Sequence, residues 1–165
     1  MPPSQLSKTD FISRHDEGAV YEHPVTHQQF FIAVRAYAAG ETICTFSARE
    51  TATEPSRYTV QAGEHTHIFL YPEHLQYINH SCDPNAFFNT DLYQLKALKP
   101  IEEGDEITFF YPSTEWNMAE SFSCFCGTER CIKTISGASQ IPIDLLKQYQ
   151  LTSFIKSKLD SNQSK

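Results

Sequence analysis

Three cysteines crowd into eight residues near the C-terminal end, as Cys124-x-Cys126-x4-Cys131 with Gly127 among them. Thiols held this close are left free, joined as disulfides or gathered round a metal. The chain has five cysteines in all, the others being Cys44 and Cys82. That number is odd, and the opening MPPSQLSKTD lacks the basic stretch and apolar core of a secretory signal. A disulfide framework is therefore a poor reading, and an intracellular, reducing setting is expected, cytoplasmic or nuclear. Zinc takes four soft ligands in a tetrahedron, so three local cysteines need a fourth from elsewhere. Cys82 is the natural candidate because it lies in a polar run, whereas Cys44, in an apolar β-like stretch, reads as a small buried hydrophobe.

Along the rest of the chain, short β-branched or aromatic segments alternate with Gly- and Pro-bearing loops. Strands are predicted at Gln29–Val34, Glu41–Phe46, Arg57–Val60, His67–Leu70, Ala86–Asn89, Tyr93–Ala97 and Glu106–Phe110. Helical patterns are confined to a short piece around Pro72–Gln76 and to the tail from Pro142 to about Lys158. In that tail Ile143, Leu146, Tyr149, Phe154 and Leu159 form an apolar stripe, with a break near Leu151-Thr152. These features predict a mainly β domain with a helical C-terminal segment. The longest apolar run, Phe30 to Val34, is far short of the ~20 residues that span a bilayer. Formal net charge is −7, which disfavours a broad grip on nucleic acid phosphates and suits a basic protein partner.

Two further segments could carry chemistry. In Asn79-His80-Ser81-Cys82-Asp83-Pro84-Asn85, side chains that hydrogen-bond or bind metal sit between Ile78 and Phe87-Phe88. Polar groups taken indoors must be paired, so the run reads as a network, or as an Asx turn leading into a strand. In Gly104-Asp105-Glu106-Ile107-Thr108-Phe109-Phe110-Tyr111-Pro112, a turn delivers alternating aromatics, with Phe109 and Tyr111 on one face. Tyr111 could present its hydroxyl to a pocket, or pack as amphipathic core. His65, His67 and Glu73 imitate a metal set, but the glutamate lies past Pro72, beyond the strand.

Taken together, these segments resemble a SET domain, the fold of protein-lysine methyltransferases. Asn79-His80-Ser81-Cys82-Asp83-Pro84-Asn85 is similar to the family's Asn-His-Ser-Cys-x-Pro-Asn signature, and Gly104-Asp105-Glu106-Ile107-Thr108-Phe109-Phe110-Tyr111 to its Gly-Glu-Glu-Ile-Thr-Phe-Asp-Tyr segment. Cys124-x-Cys126-x4-Cys131 resembles the post-SET zinc motif, which takes its fourth ligand from the signature cysteine, here Cys82. The resemblance implies a β-clip fold with a pseudoknot: a loose N-terminus over residues 1–13, a SET domain over 14–113, a post-SET zinc segment over 114–137 and a helical extension over 138–165. It also implies S-adenosylmethionine held by Asn79 and His80, with Phe125 or Trp116 as aromatic lining, and structural Zn²⁺ on Cys82, Cys124, Cys126 and Cys131. Tyr111 is then the catalytic residue, at the end of a channel lined by Phe109 for a lysine of a protein substrate. A scaffold without turnover, or an enzyme acting on a small-molecule or peptide amine, are the other expectations. Three family positions differ. Gly18 stands alone where a Gly-x-Gly turn is usual, Gln76 replaces an Arg, and Phe110 replaces the Asp before the last Tyr.

Overall fold

A computed structural model of the protein describes residues 10–163. Strands β1 (Phe11–Arg14), β2 (Gly18–Glu22) and β3 (Gln29–Ala33) form an antiparallel sheet in chain order. The loose N-terminus expected through residue 13 is thus strand from Phe11 on, paired through Arg14 and Ala19, while residues 1–9 lie outside the described residues. Gly18 serves packing: a Cβ there would come within 2.5 Å of the Phe31 ring and 2.8 Å of the Ile32 carbonyl oxygen.

A second sheet runs β4 (Thr42–Thr45), β10 (Gln94–Ala97), β9 (Ala86–Asn89), and a third runs β5 (Ser47–Ala52), β7 (Thr66–Tyr71), β6 (Thr59–Gly63). β5 has no apolar periodicity to announce it, since it is an almost wholly exposed edge strand. β6 begins two residues later than the sequence suggests because Ser56 and Thr59 close a turn, with the Ser56 amide donating to Thr59 Oγ1 at 2.9 Å. The inner faces of these sheets share one core. Phe31, Ile68, Leu75, Ile78, Phe88, Leu95 and Ile107 are all but inaccessible there. Phe88 meets both Phe46 and Phe109 edge-on, the geometry ring quadrupoles favour.

The short helical piece near Pro72 is a 3-10 turn over Glu73–Tyr77, which delivers the chain into β8 (Asn79–His80). β8 pairs in parallel with β11 (Thr108–Phe109), so two segments about thirty residues apart in sequence lie side by side. The strand expected over Glu106–Phe110 is cut to two residues because β8 offers only two partners. Asn85 extends the contact by imitating a strand: its amide nitrogen donates to Glu106 O at 2.8 Å and its oxygen accepts from Thr108 N at 2.9 Å.

The C-terminal part builds a smaller core of its own. After the β12 (Phe122–Ser123) and β13 (Thr134–Ile135) pair come α1 (Ile143–Leu146) and α2 (Ser153–Gln163), with the break where the sequence places it. Leu146, Leu151 and Ile155 pack on Phe110 and Trp116, with Tyr149, Phe154 and Leu159 at the margin. Thr152 docks this segment, its amide donating to Ser113 O at 3.0 Å. Gly137 permits the closest backbone approach, for a Cβ there would lie 2.3 Å from the Trp116 carbonyl oxygen. Among the described residues no helix is long and apolar enough to cross a membrane.

Candidate functional site

Cys82, Cys124, Cys126 and Cys131 converge, with all four sulfurs within 4.8 Å of one another. Sulfurs about 2.3 Å from a tetrahedral Zn²⁺ stand ~3.8 Å apart, and Cys82 Sγ and Cys124 Sγ are separated by 3.8 Å. The four sulfurs are therefore close enough together to hold a zinc ion. Its surroundings suit thiolates: the Ile132 amide donates to Cys82 Sγ at 3.4 Å, and Thr128 Oγ1 lies 3.2 Å from Cys126 Sγ. Without a cation the thiols diverge. Burial pushes Cys82 up to about 11 and raises Cys124, whereas at Cys126 burial is outweighed by hydrogen bonds from Thr128, bringing it to about 6. A central dication removes that conflict by deprotonating all four. Cys44 stays apart, half-buried against the main core and pushed up to about 12 by burial.

His80 joins this cluster to Tyr111. The Tyr111 amide donates to His80 Nδ1 at 3.1 Å, so Nδ1 is an acceptor and the ring proton belongs on Nε2. Nε2 lies 3.3 Å from Cys82 Sγ, where it can donate to a metal-bound thiolate. Burial lowers His80 to about 4, so the ring is neutral near pH 7. Both ring nitrogens are occupied, and the rings of Phe110, Tyr111 and Phe122 pack around the imidazole. Beside it, Asn79 Nδ2 donates to Gln29 O at 2.8 Å.

Tyr111 stands at the end of the β11 segment, in a short 3-10 turn over Tyr111–Ser113. Its ring is 4.8 Å from Phe109, 5.2 Å from His80 and 5.8 Å from Phe122. Burial pushes its phenol up to about 12, aided by the Glu115 and Glu106 carboxylates and opposed by the Arg57 guanidinium. At neutral pH the phenol thus keeps its proton and can both donate and accept. Glu115 is buried, and its Oε2 accepts from Gln61 N at 2.9 Å and Thr114 Oγ1 at 2.6 Å.

A SET domain family profile matches residues 47–112. Methyltransferase flvH of Aspergillus flavus is 35% identical over 130 residues, covering 78% of this chain and 72% of that protein. The chain belongs to the SET-domain methyltransferase family. An H3 lysine-36 specific histone-lysine N-methyltransferase of Candida albicans is 39% identical over 77 residues, 43% of this chain but 9% of that protein. The SET fold is also shared with KRYPTONITE, solved in complex with mCHG DNA and S-adenosylhomocysteine, at a TM-score of 0.53 and 19% identity over 70% of this chain and 28% of that one.

Within this SET domain, Asn79, His80, Cys82, Phe109, Tyr111 and the three clustered cysteines come together. Phe125 does not pack on them: it is 92% exposed on the loop between Cys124 and Cys126. Trp116 lies in the smaller core, with Lys158 over its ring at 5.3 Å. His67 is buried in β7 with Nδ1 unpartnered, and among the described residues only the four cysteines form a metal-holding group. Phe122 and Tyr149 are site neighbours that sequence reading missed. Tyr149 donates its hydroxyl to Cys82 O at 2.7 Å and stacks on Phe110 at 3.7 Å with the planes 6° apart. That stack accounts for Phe in place of Asp before Tyr111: the side chain turns into the smaller core, where a carboxylate would be buried unpaired.

Proposed function

We propose that the protein transfers methyl groups from S-adenosylmethionine to the side-chain amine of a lysine in a protein substrate. The parallel pairing of β8 with β11 carries this reading, because it sets Asn79 and His80 against Phe109 and Tyr111. The cofactor supplies an electrophilic methyl on a sulfonium. Asn79 and the His80 main chain hold it, with Phe125 folding over it from the zinc loop.

Lysine has an ordinary pKa near ~10.4, so transfer needs a place that disfavours the ammonium. The aromatic surround of Phe109, Tyr111 and Phe122 supplies it by desolvation. Tyr111, protonated at neutral pH, acts by orienting the amine through its hydroxyl, and the proton leaves to water beforehand. Phe109 offers no hydroxyl to pin a methylated amine, so transfer is expected to proceed beyond monomethyl-lysine. Zn²⁺ on Cys82, Cys124, Cys126 and Cys131 is structural, closing the site through residues 114–137 onto the domain over 14–113.

The net charge of −7 supports a basic protein segment as partner, with no direct nucleic acid contact. A peptide or small-molecule amine is the second reading, favoured by one fact: the relative matched over 72% of its length is named only as a methyltransferase. The test is calorimetry with S-adenosylmethionine, followed by labelled-methyl transfer to basic peptides and to free amines. Cofactor binding lost in Asn79→Ala and label in peptide lysine support the proposal. Label only in free amines supports the second reading, and binding without transfer to either indicates a scaffold.

A further inference from the structure

The ladder between β8 and β11 closes with Ser81 N donating to Phe109 O at 3.0 Å, and Tyr111 opens the 3-10 turn just beyond it. Its amide therefore stands outside the ladder and, like the first N–H groups of any helix, has no partner within the turn. It donates instead to a side chain, His80 Nδ1, at 3.1 Å. The imidazole thus caps the turn that carries Tyr111.

The far edge of the same ring faces sulfur. His80 Nε2 lies 3.3 Å from Cys82 Sγ, which also accepts from Ile132 N at 3.4 Å and stands 3.8 Å from Cys124 Sγ. A neutral imidazole has one N–H and one bare nitrogen, so what Nε2 does towards sulfur fixes what Nδ1 can do for Tyr111. A thiolate has no proton to give. It accepts from Nε2–H and leaves Nδ1 bare for the Tyr111 amide. A thiol can reverse that bond by donating to Nε2. The ring proton then sits on Nδ1, head-on to the Tyr111 N–H, and the cap is lost. Metal coordination holds Cys82 as thiolate and so removes the second arrangement. The rings of Phe110, Tyr111 and Phe122 pack around the imidazole, with centroids 5.5, 5.2 and 5.9 Å from its own, and keep it between its two partners.

We propose that His80 is a positioning residue that ties the setting of Tyr111 to metal occupancy of the cysteine cluster, through one imidazole proton that faces either the Cys82 sulfur or the Tyr111 amide. Zinc then does more than close the loop: it selects the tautomer that caps the Tyr111 turn. Second-shell bonds of this kind, from a ring nitrogen to a metal ligand, orient both partners. The consequence for methyl transfer rests on the proposed role of Tyr111 in orienting the amine, whereas the coupling of tautomer to metal does not.

The test follows the His80 ring nitrogens by NMR in the nitrogen-15-labelled full chain, zinc-loaded and after chelation. With zinc the ring is expected to carry its proton on Nε2 alone; without it the Nδ1-protonated form should appear. Two variants then divide the ring's two bonds. In His80→Asn the side-chain oxygen reaches the place of Nδ1 and nothing reaches sulfur. Zinc affinity is expected to fall about tenfold, while the Tyr111 amide stays protected from hydrogen exchange. In His80→Gln the side-chain amide reaches towards sulfur in place of Nε2 and the Tyr111 amide loses its acceptor. Zinc affinity should stay close to wild type, while amide protection falls about tenfold and methyl transfer falls with it. A ring that only fills space would move every readout alike in both variants. An Nδ1-protonated His80 in the zinc-loaded chain, or equal losses of zinc affinity and amide protection in the two variants, would overturn the proposal. The tautomer needs no variant and no substrate, so it decides even where neither variant folds. It also judges the coupling in a chain that transfers no methyl, which is the failure of the proposed function alone.

Discussion

The main β core and the cysteine-centred region are held by different physics. The first buries a continuous set of side chains, Phe31, Phe88 and Ile107 among them, and its inner strands follow from hydrophobic burial. The second has two buried cysteines and Ile135 as its centre, fringed by partly buried Tyr111, Met118 and Ile132, and one antiparallel pair of two-residue strands. Few residues there have apolar partners enough to offset the entropy of ordering them. What orders this part is convergence of four sulfurs on one point. The chain thus sets Tyr111 at a seam, with its turn anchored by hydrocarbon on one side and by His80 and Cys82 on the other.

Metal removal should break the comparison most widely. Apparent Zn²⁺ binding at such sites is worth about 10–16 kcal/mol, so a chelator should abolish hydrogen-exchange protection in β12 and β13 while β2, β3, β9 and β10 stay protected. Cys82→Ser should behave alike. Global unfolding on chelation would show the two regions to be one cooperative unit. The converse perturbation is Phe88→Ala, expected to cost about 3–5 kcal/mol in denaturant unfolding with metal content per chain unchanged.

A pH experiment sharpens the seam. Burial raises Glu115 to about 7, above its ordinary 4.5, so the folded state holds that proton where the unfolded state has lost it. Its contribution weakens the fold as pH rises from 4.5 and levels off above about 7, a loss of at most roughly 3 kcal/mol. Glu115→Gln keeps an acceptor for Gln61 N and should remove that slope; parallel pH profiles for both proteins would contradict it. Smallest is Tyr149→Phe, which keeps the stack on Phe110 but loses the bond to Cys82 O. About 1 kcal/mol of stability should go, with metal affinity falling modestly, measured by competition with a chelating dye.

The same contrast decides what could be read from sequence. Ala86–Asn89 and the break before Ser153 were legible because burial periodicity and composition specify them locally. Cys82 as partner of the distant cysteines was legible because three clustered thiols need a fourth ligand and Cys82 lies in a run of polar side chains that resembles the family signature. β5 was not, since an exposed edge strand bears no pattern, and β1 was not, since its pairing with β2 is set by the turn at His15–Gly18. The role of Phe110 was hidden because its partner, Tyr149, comes from a segment that sequence alone places on no particular surface. Phe122 was hidden likewise, brought to Tyr111 only when the sulfurs close the loop behind it.

The most direct test of the account is methyl transfer by Tyr111→Phe in the zinc-loaded chain, with cofactor affinity measured in parallel. If Tyr111 orients the amine, labelled transfer should fall by about 10²–10³-fold, as for loss of one positioning hydrogen bond, while S-adenosylmethionine binds as in wild type. Turnover unchanged in that variant would contradict it.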